Sequence, residues 1–385
     1  MLNAWKSLNL GEVVALEYGK PLAPEDRNPT GLYPAYGANG EKDRTDRFYR
    51  DQPSIIVGRK GSAGEITLTE EKYWPLDVTY FAEFERGRYD LKFLYYLLTT
   101  LDLPSLAKGV KPGINRNEVY AIPVMVPPLP EQLRIVAILD EAFEGIATAK
   151  ANAEKNLQNA RELFETYLSA AFSSEGEVLQ LSECASAISD GDHAPPPKSP
   201  TGVPFITISN VDKGTRCIDF NDTFTVSREY FEALKPHRRP RRGDVLYTVT
   251  GSFGIPVLVE DDVEFCFQRH IGLIRPTPDV DSRWLMYALL SPQARAQAEA
   301  GATGTAQRTV SLGVLRCMTV PRIGVDEQRA VAAQVDALSE AIARLKAIAR
   351  AKIVALEELK KSLLHQAFSG VLTAKATDKL LAAAA

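Results

Sequence analysis

Apolar residues recur at alternating steps of three and four along two stretches of this chain, and both stretches follow one plan. The first stripe reads Val136, Leu139, Phe143, Ile146, Lys150, Ala153, Leu157, Ala160, Phe164, Tyr167 and Ala171. The second, 196 residues further on, reads Ala332, Val335, Ser339, Ile342, Lys346, Ala349, Ile353, Leu356, Lys360, Leu363 and Ala367. This spacing keeps one face of a helix turned toward a partner helix. From Glu131-Gln132 and Glu327-Gln328 onward the offset holds without a gap, setting Asp140 on Asp336, Leu168 on Leu364 and Ala171-Phe172-Ser173 on Ala367-Phe368-Ser369. Both copies are free of proline and rich in Ala, Leu, Glu, Lys and Arg, all good helix formers. Roughly 40 residues at about 1.5 Å each make a helix of about 60 Å. A helix of that length with a single apolar stripe needs a partner, and the other copy is the obvious one.

Each helix follows a larger mixed region, which sets the order as a domain at 1–128, a helix at 129–174, a second domain at 175–322, a second helix at 323–370 and a tail at 371–385. The predicted class is α+β: two mixed α/β domains separated by two long helices, with a pseudo-two-fold internal repeat. The link Ser173-Ser174-Glu175-Gly176 leaves little slack, and compact domains usually have neighbouring termini. Together these predict antiparallel helices forming a coiled-coil spacer, with the domains at its opposite ends. Lys150 and Lys346 interrupt the two stripes at the same place. They read either as polar register devices or as lysines whose stems snorkel out of the seam, and the second reading is the simpler.

Weaker likeness runs through the domains. Leu8-Asn9-Leu10-Gly11-Glu12 matches Leu179-Gln180-Leu181-Ser182-Glu183, and Tyr33 to Gly40 matches Val203 to Asn210. An apolar strand runs into Gly61-Ser62-Ala63-Gly64 in one domain and Gly251-Ser252-Phe253-Gly254 in the other. A short helix follows in each, and then a polar glycine loop, Ala107 to Gly113 against Gly301 to Arg308. Each domain is expected to have a core independent of the long helices.

Composition narrows the class without naming it. At 385 residues, with 45% hydrophobic and 24% charged residues, there is room for two cores besides the helices. A signal peptide and a run of 18 apolar residues are both missing, which predicts a cytoplasmic protein with no membrane segment. Cys184, Cys217, Cys266 and Cys317 have no CxxC spacing and read as reduced core thiols. The net charge of −4 is compatible with a local basic face. Gly58 to Gly64 lacks the Gly-Lys-Ser/Thr ending of a phosphate loop, and no Asn-Pro-Pro-Tyr or Asp-Pro-Pro-Tyr quartet suits a flipped adenine. His193, His237, His270 and His365 show no metal-ligand spacing. No catalytic residue and no metal site are expected.

Val126-Pro127-Pro128-Leu129-Pro130-Glu131-Gln132, running into the long helix, resembles the specificity subunit of type I restriction-modification systems. In that family a target-recognition domain, a conserved helix, a second recognition domain and a second conserved helix follow in this order. The second junction, Val320-Pro321-Arg322-Ile323-Gly324-Val325-Asp326-Glu327-Gln328, departs from the motif, but the gapless match resumes after it. The resemblance implies a non-catalytic reader of double-stranded DNA that holds two methyltransferase subunits, to which translocase subunits with endonuclease activity can be added. The chain itself would need no cofactor, with S-adenosylmethionine belonging to the methyltransferase subunit. Two different domains imply an asymmetric bipartite target, with the helices setting the gap between half-sites about one DNA turn, roughly 34 Å, apart.

Phosphate contacts want Lys, Arg and backbone N–H groups, while base reading wants Arg, Lys, Asn or Gln on loops. In the first domain these requirements select Arg59, Lys60 and Ser62 on the glycine turn and Lys108, Lys111, Asn115 and Arg116 in and after the polar loop, with Tyr36 and Asn39 added. In the second they select Thr250, Ser252, Arg269, His270, Thr303, Gln307 and Arg308. Each is equally readable as an ordinary solvated residue. The run from Lys235 to Arg242 reads equally as a phosphate grip or as a solvated lead-in to a strand. Two rivals stay open: an adaptor whose domains bind protein, and a DNA reader serving another kind of modification enzyme.

Overall fold

The computed structural model describes residues 5–173, 176–193, 196–305 and 307–373. The chain divides into two compact units, Met1–Ala153 with Ala351–Ala385, and Glu154–Arg350. The division falls inside the long helices, Leu129–Ala171 and Val325–Phe368, so each unit owns part of both.

In the first unit a four-stranded sheet runs in the order Ala15–Tyr18, Thr79–Glu83, Ser54–Gly58, Ile66–Thr69. A three-stranded sheet runs Gly40–Thr45, Tyr33–Gly37, Trp74–Pro75, and Lys6–Asn9 pairs with Pro123–Val126 just before the long helix. The second unit repeats this strand for strand. Its four-stranded sheet is Ala185–Asp190, Ile271–Pro276, Val245–Thr248, Pro256–Leu258; its three-stranded sheet is Phe224–Val226, Val203–Ile206, Cys266–Phe267; and Val178–Gln180 pairs with Thr319–Pro321. The duplication read from the helices therefore extends through the domains. The strands Ser54–Gly58 and Val245–Thr248 are buried at every residue, as expected of β-branched and aromatic runs covered on both faces.

The short helix that packs beside each long helix starts on an aspartate. Asp90 accepts from the Phe93 N–H ahead of Leu91–Thr99, and Asp281 accepts from the Trp284 N–H ahead of Ser282–Leu290, both at 2.9 Å. The same two loops grip the starts of the long helices through buried glutamines. The Gln132 amide donates to Pro127 O at 2.9 Å and Arg88 O at 3.1 Å, and accepts from the Asp90 N–H at 2.9 Å. Gln328 repeats this with Ile323 O at 2.9 Å, Asp279 O at 3.4 Å and the Asp281 N–H at 2.8 Å. Two turns further along, Asp140 accepts from the Tyr96 hydroxyl and from the Lys92 ammonium, and Asp336 accepts from the Tyr287 hydroxyl and Arg283. Burial first, and then the hydrogen bond to the carboxylate, holds both phenols well above the usual tyrosine range.

Within each unit the long helices run antiparallel. In the first unit Lys360 lies over the Phe143 ring, Lys150 pairs with Glu357 at 2.5 Å, and Ala367 shares a core with Ile135, Val136 and Leu139. In the second unit the Tyr167 hydroxyl donates to Gln334 at 2.8 Å, and Leu168 and Phe172 share a core with Ala332 and Val335. Every residue of the two stripes is buried or half-buried except Lys360, whose cation rides on Phe143.

Two expectations are corrected. The domain cores are not independent of the helices: Phe368 packs on Phe93 at 5.4 Å between ring centroids, and Phe172 packs on Trp284 at 6.0 Å, so each helix end completes a domain core. Of the four cysteines only Cys184 and Cys266 are core thiols, since Cys217 and Cys317 are exposed.

Gln132 and Gln328 are almost wholly buried, so truncating either leaves carbonyl and N–H partners unsatisfied. Gln132→Ala and Gln328→Ala are each expected to cost about 1–3 kcal/mol in chemical denaturation. Glu144→Ala, an exposed site on the same helix, should stay within about 0.5 kcal/mol of the parent.

Candidate nucleic-acid interface

In each unit the central strand of the four-stranded sheet ends in a glycine turn, and the polar loop is laced to it by backbone hydrogen bonds. In the first unit the Gly61 N–H donates to Pro112 O at 2.8 Å, the Ile114 N–H donates to Arg59 O at 3.1 Å, and Lys108 and Gly113 exchange bonds of 3.0 and 3.1 Å. In the second unit the Gly251 N–H donates to Arg308 O at 3.0 Å, the Val310 N–H donates to Val249 O at 2.8 Å, and Thr303 and Thr309 exchange bonds of 3.0 and 2.8 Å. A capped helix follows each loop: Asn115 accepts from the Asn117 N–H, and Ser311 accepts from the Val314 N–H. Each turn closes on a glycine at positive φ, Gly64 at +88° and Gly254 at +92°. A Cβ on Gly64 would stand 2.4 Å from the Pro104 nitrogen, so this position excludes any side chain.

These bonds bring Lys60, Ser62, Lys108 and Lys111 into one turn-and-loop assembly in the first unit. They put Thr250, Ser252, Thr303 and Gln307 at the matching places in the second. The backbone is the same and the chemistry presented on it differs.

Around the first assembly, Arg59 donates to Asp77 O and Arg116 donates to Leu16 O. Both guanidinium groups lie over the half-exposed Tyr18 ring, at 5.4 and 5.0 Å from its centroid. Their hydrogen-bond partners are neutral carbonyls, which hold both side chains in place without offsetting their charge. Lys60 and Lys111 are exposed, and Lys108 is neutralised by Glu118 at 2.8 Å. Asn39 is exposed in the turn between Tyr33–Gly37 and Gly40–Thr45. Tyr36 is corrected to a core residue: it is 7% exposed, lies edge-on to Tyr73 at 6.1 Å, and its phenol is pushed up by burial. Asn115 is exposed, but its side chain is spent on the helix cap.

In the second unit Thr250, Arg269, His270 and Gln307 line one cleft of about 420 Å³ with Asp190 and His193. Thr250 is itself buried, with its hydroxyl on Thr309, so it shapes the cleft wall more than it projects from it. Arg269, Thr303 and Gln307 are exposed. Burial, and then the neighbouring Arg269, holds His270 below the ordinary histidine range, so the ring is neutral near pH 7. Arg308 donates to Glu299 O and lies over Phe253, while Ser252 accepts from Lys213 at 2.9 Å. The basic run folds back onto the unit: Arg238 binds Asp190, and the buried Arg275–Asp244 pair at 2.8 Å grips its carbonyls at Pro236 and Arg239. Lys235, His237, Arg241 and Arg242 remain exposed.

Tyr18 and Lys213 were missed from sequence. Nothing in the local pattern flags Tyr18, but Lys213 sits in a segment whose length could have drawn notice. The first unit joins Tyr33–Gly37 to Gly40–Thr45 by a tight turn, whereas the second spends residues 207–223 between Val203–Ile206 and Phe224–Val226.

Residues 3–158 match the family described as "Type I restriction modification DNA specificity domain". A putative type I restriction enzyme specificity subunit of Haemophilus influenzae is 24% identical over 278 residues, covering 67% of this chain and 68% of that protein. A chain solved in work on complex assembly and conformational transition of the type I restriction-modification system superposes with a TM-score of 0.73 at 20% identity, covering 96% of this chain and 98% of that one. The HsdS subunit from Thermoanaerobacter tengcongensis gives 0.61 at 20% identity, covering 96% and 97%. Among the described residues, no helix is long and apolar enough to cross a membrane, and no group of three or more His, Cys, Asp or Glu could hold a metal ion.

Gly64→Ala is expected to lower stability by at least about 1 kcal/mol more than Gly61→Ala. Both positions need positive φ, but only the first meets backbone while the second faces open space. Equal losses in thermal unfolding would show that the close approach to Pro104 is unimportant.

Proposed function

Given this chain's kinship with the specificity subunits of type I restriction-modification systems, we propose that it reads duplex DNA through both units. Each unit takes one half-site of an asymmetric bipartite target, and the chain holds two methyltransferase subunits, to which translocase-endonuclease subunits can be added. The observation that carries this reading is the repeated turn-and-loop assembly with different side chains upon it. One backbone cradle, used twice, gives each half the same approach to a duplex. Exposed Lys60 and Lys111 on one cradle, against exposed Gln307 and a Thr250 held in the cleft wall on the other, give the halves different hydrogen-bonding preferences. Lysine suits the O6 and N7 acceptors of guanine, and glutamine suits the paired donor and acceptor of adenine. Arg59, Arg116 and Arg269 serve as phosphate contacts that fix orientation.

The chain performs no chemistry in this scheme. Base modification takes place in the methyltransferase subunit, which binds S-adenosylmethionine, and the assembly works in the cytoplasm.

Coexpression with the partner methyltransferase, followed by mapping of modified adenines, is expected to find N6 marks on both strands of one bipartite asymmetric motif. Absent or motif-free marks refute the proposal. In the purified chain, Arg59→Gln and Arg116→Gln should each shallow the dependence of log affinity on log salt by about 0.9 while leaving the motif intact. Lys111→Ala and Gln307→Ala should each relax one half of the motif, by about 1–3 kcal/mol.

A further inference from the structure

The two halves of the helical pair differ in charge at one repeated position. In the first unit Lys150 is neutralised by Glu357 at 2.5 Å. Moving by the 196-residue offset, Lys346 takes the place of Lys150 and Arg161 that of Glu357. One turn further on, Arg350 stands where the first copy has Glu154. Divergence has thus replaced two carboxylates by two guanidinium groups around one half-buried lysine. Burial, followed by Arg161, Arg350 and Arg216, holds the Lys346 ammonium below the ordinary lysine range. Among the described residues, none of these four side chains has an ion-pair partner.

Arg216 comes from the segment 207–223, for which the first unit has no counterpart. It lines a cavity of about 260 Å³ with Arg283 and Tyr287, the two residues that clasp Asp336 on the long helix. The same segment reaches the glycine turn, where Lys213 donates to Ser252. A line of cations therefore runs from the candidate reading turn, along the inserted segment, to the helical pair.

Resting on the DNA-reading proposal, we infer that Lys213, Arg216, Arg161, Lys346 and Arg350 form a track for backbone phosphates outside the half-site read by the second unit, and that the first unit lacks such a track. Unpaired like charges cost stability unless an anion joins them, and continuity with the glycine turn favours a nucleic-acid backbone over an acidic protein surface.

The test uses the full chain and mixed-sequence duplex DNA, with affinity measured across a salt series. Arg161→Glu with Arg350→Glu copies the first unit's pairing. A second variant neutralises Arg161, Arg216, Lys346 and Arg350 to glutamine. Both should melt at or above the parent temperature, because repulsion is relieved. Both should bind at least about tenfold more weakly at low salt, and the salt slope should shallow by about 2–3 in the first variant and about 3–4 in the second, near 0.9 for each phosphate that the variant leaves unneutralised. Parent and variants sharing one slope would overturn the track while leaving the reader intact. A parent that binds no DNA at any salt would overturn both. Unchanged DNA binding together with failed methyltransferase assembly would assign the cluster to a protein partner and overturn the inference.

Discussion

A buried glutamine amide at the start of each long helix is the joint on which the rest of the structure depends. Gln132 and Gln328 each satisfy one carbonyl of the segment leading into their own helix, and one carbonyl and one N–H of a domain loop beside it. That loop also carries the aspartate cap of the domain helix, so the same bonds tie a long helix to a domain helix. Asp140 and Asp336 repeat the tie two turns later, and Phe368 and Phe172 close it by entering the domain cores. In such an environment an unmet hydrogen bond costs about 1–3 kcal/mol, so helix direction and domain attachment are fixed together. Neither feature can drift without the other.

Once attachment is fixed, the part free to diverge is the surface that the cradle displays. The backbone bonds between glycine turn and polar loop involve glycines and main-chain groups, so they tolerate exchange of Lys60 for Thr250 or Lys111 for Gln307. A backbone built this way can change the side chains it displays without refolding. The same freedom extends to the helical pair, where one half keeps Lys150 with Glu357 and the other gathers cations that have no ion-pair partner among the described residues.

The long helices were legible because a stripe repeated at a constant offset survives divergence, and burial keeps it apolar. The strands leading into Gly61 and Gly251 were legible for a related reason, since a fully buried β-branched run ending in Gly-Ser-x-Gly has few alternatives. Tyr36 was misread because it stands next to a glycine- and asparagine-containing turn, whereas the strand Tyr33–Gly37 turns its ring inward onto Tyr73. The assumption of separate domain cores failed because Phe172 and Phe368, near the ends of the long helices, also pack on Trp284 and Phe93 of the domain helices, and sequence spacing does not reveal that second partner. Tyr18 was invisible because its use depends on Arg59 and Arg116, 41 and 98 residues away in sequence, meeting over one ring. Stacks of that kind belong to the tertiary structure alone.

The most direct measurement of the central claim is a graft. The turn 250–253 and loop 303–309 of the second unit are replaced by 60–63 and 108–113 of the first, and the hybrid is coexpressed with the methyltransferase for mapping of its modified motif. Independent readers on a common cradle predict a motif with one half altered and the other retained. An unaltered motif, or one changed in both halves, would contradict the account.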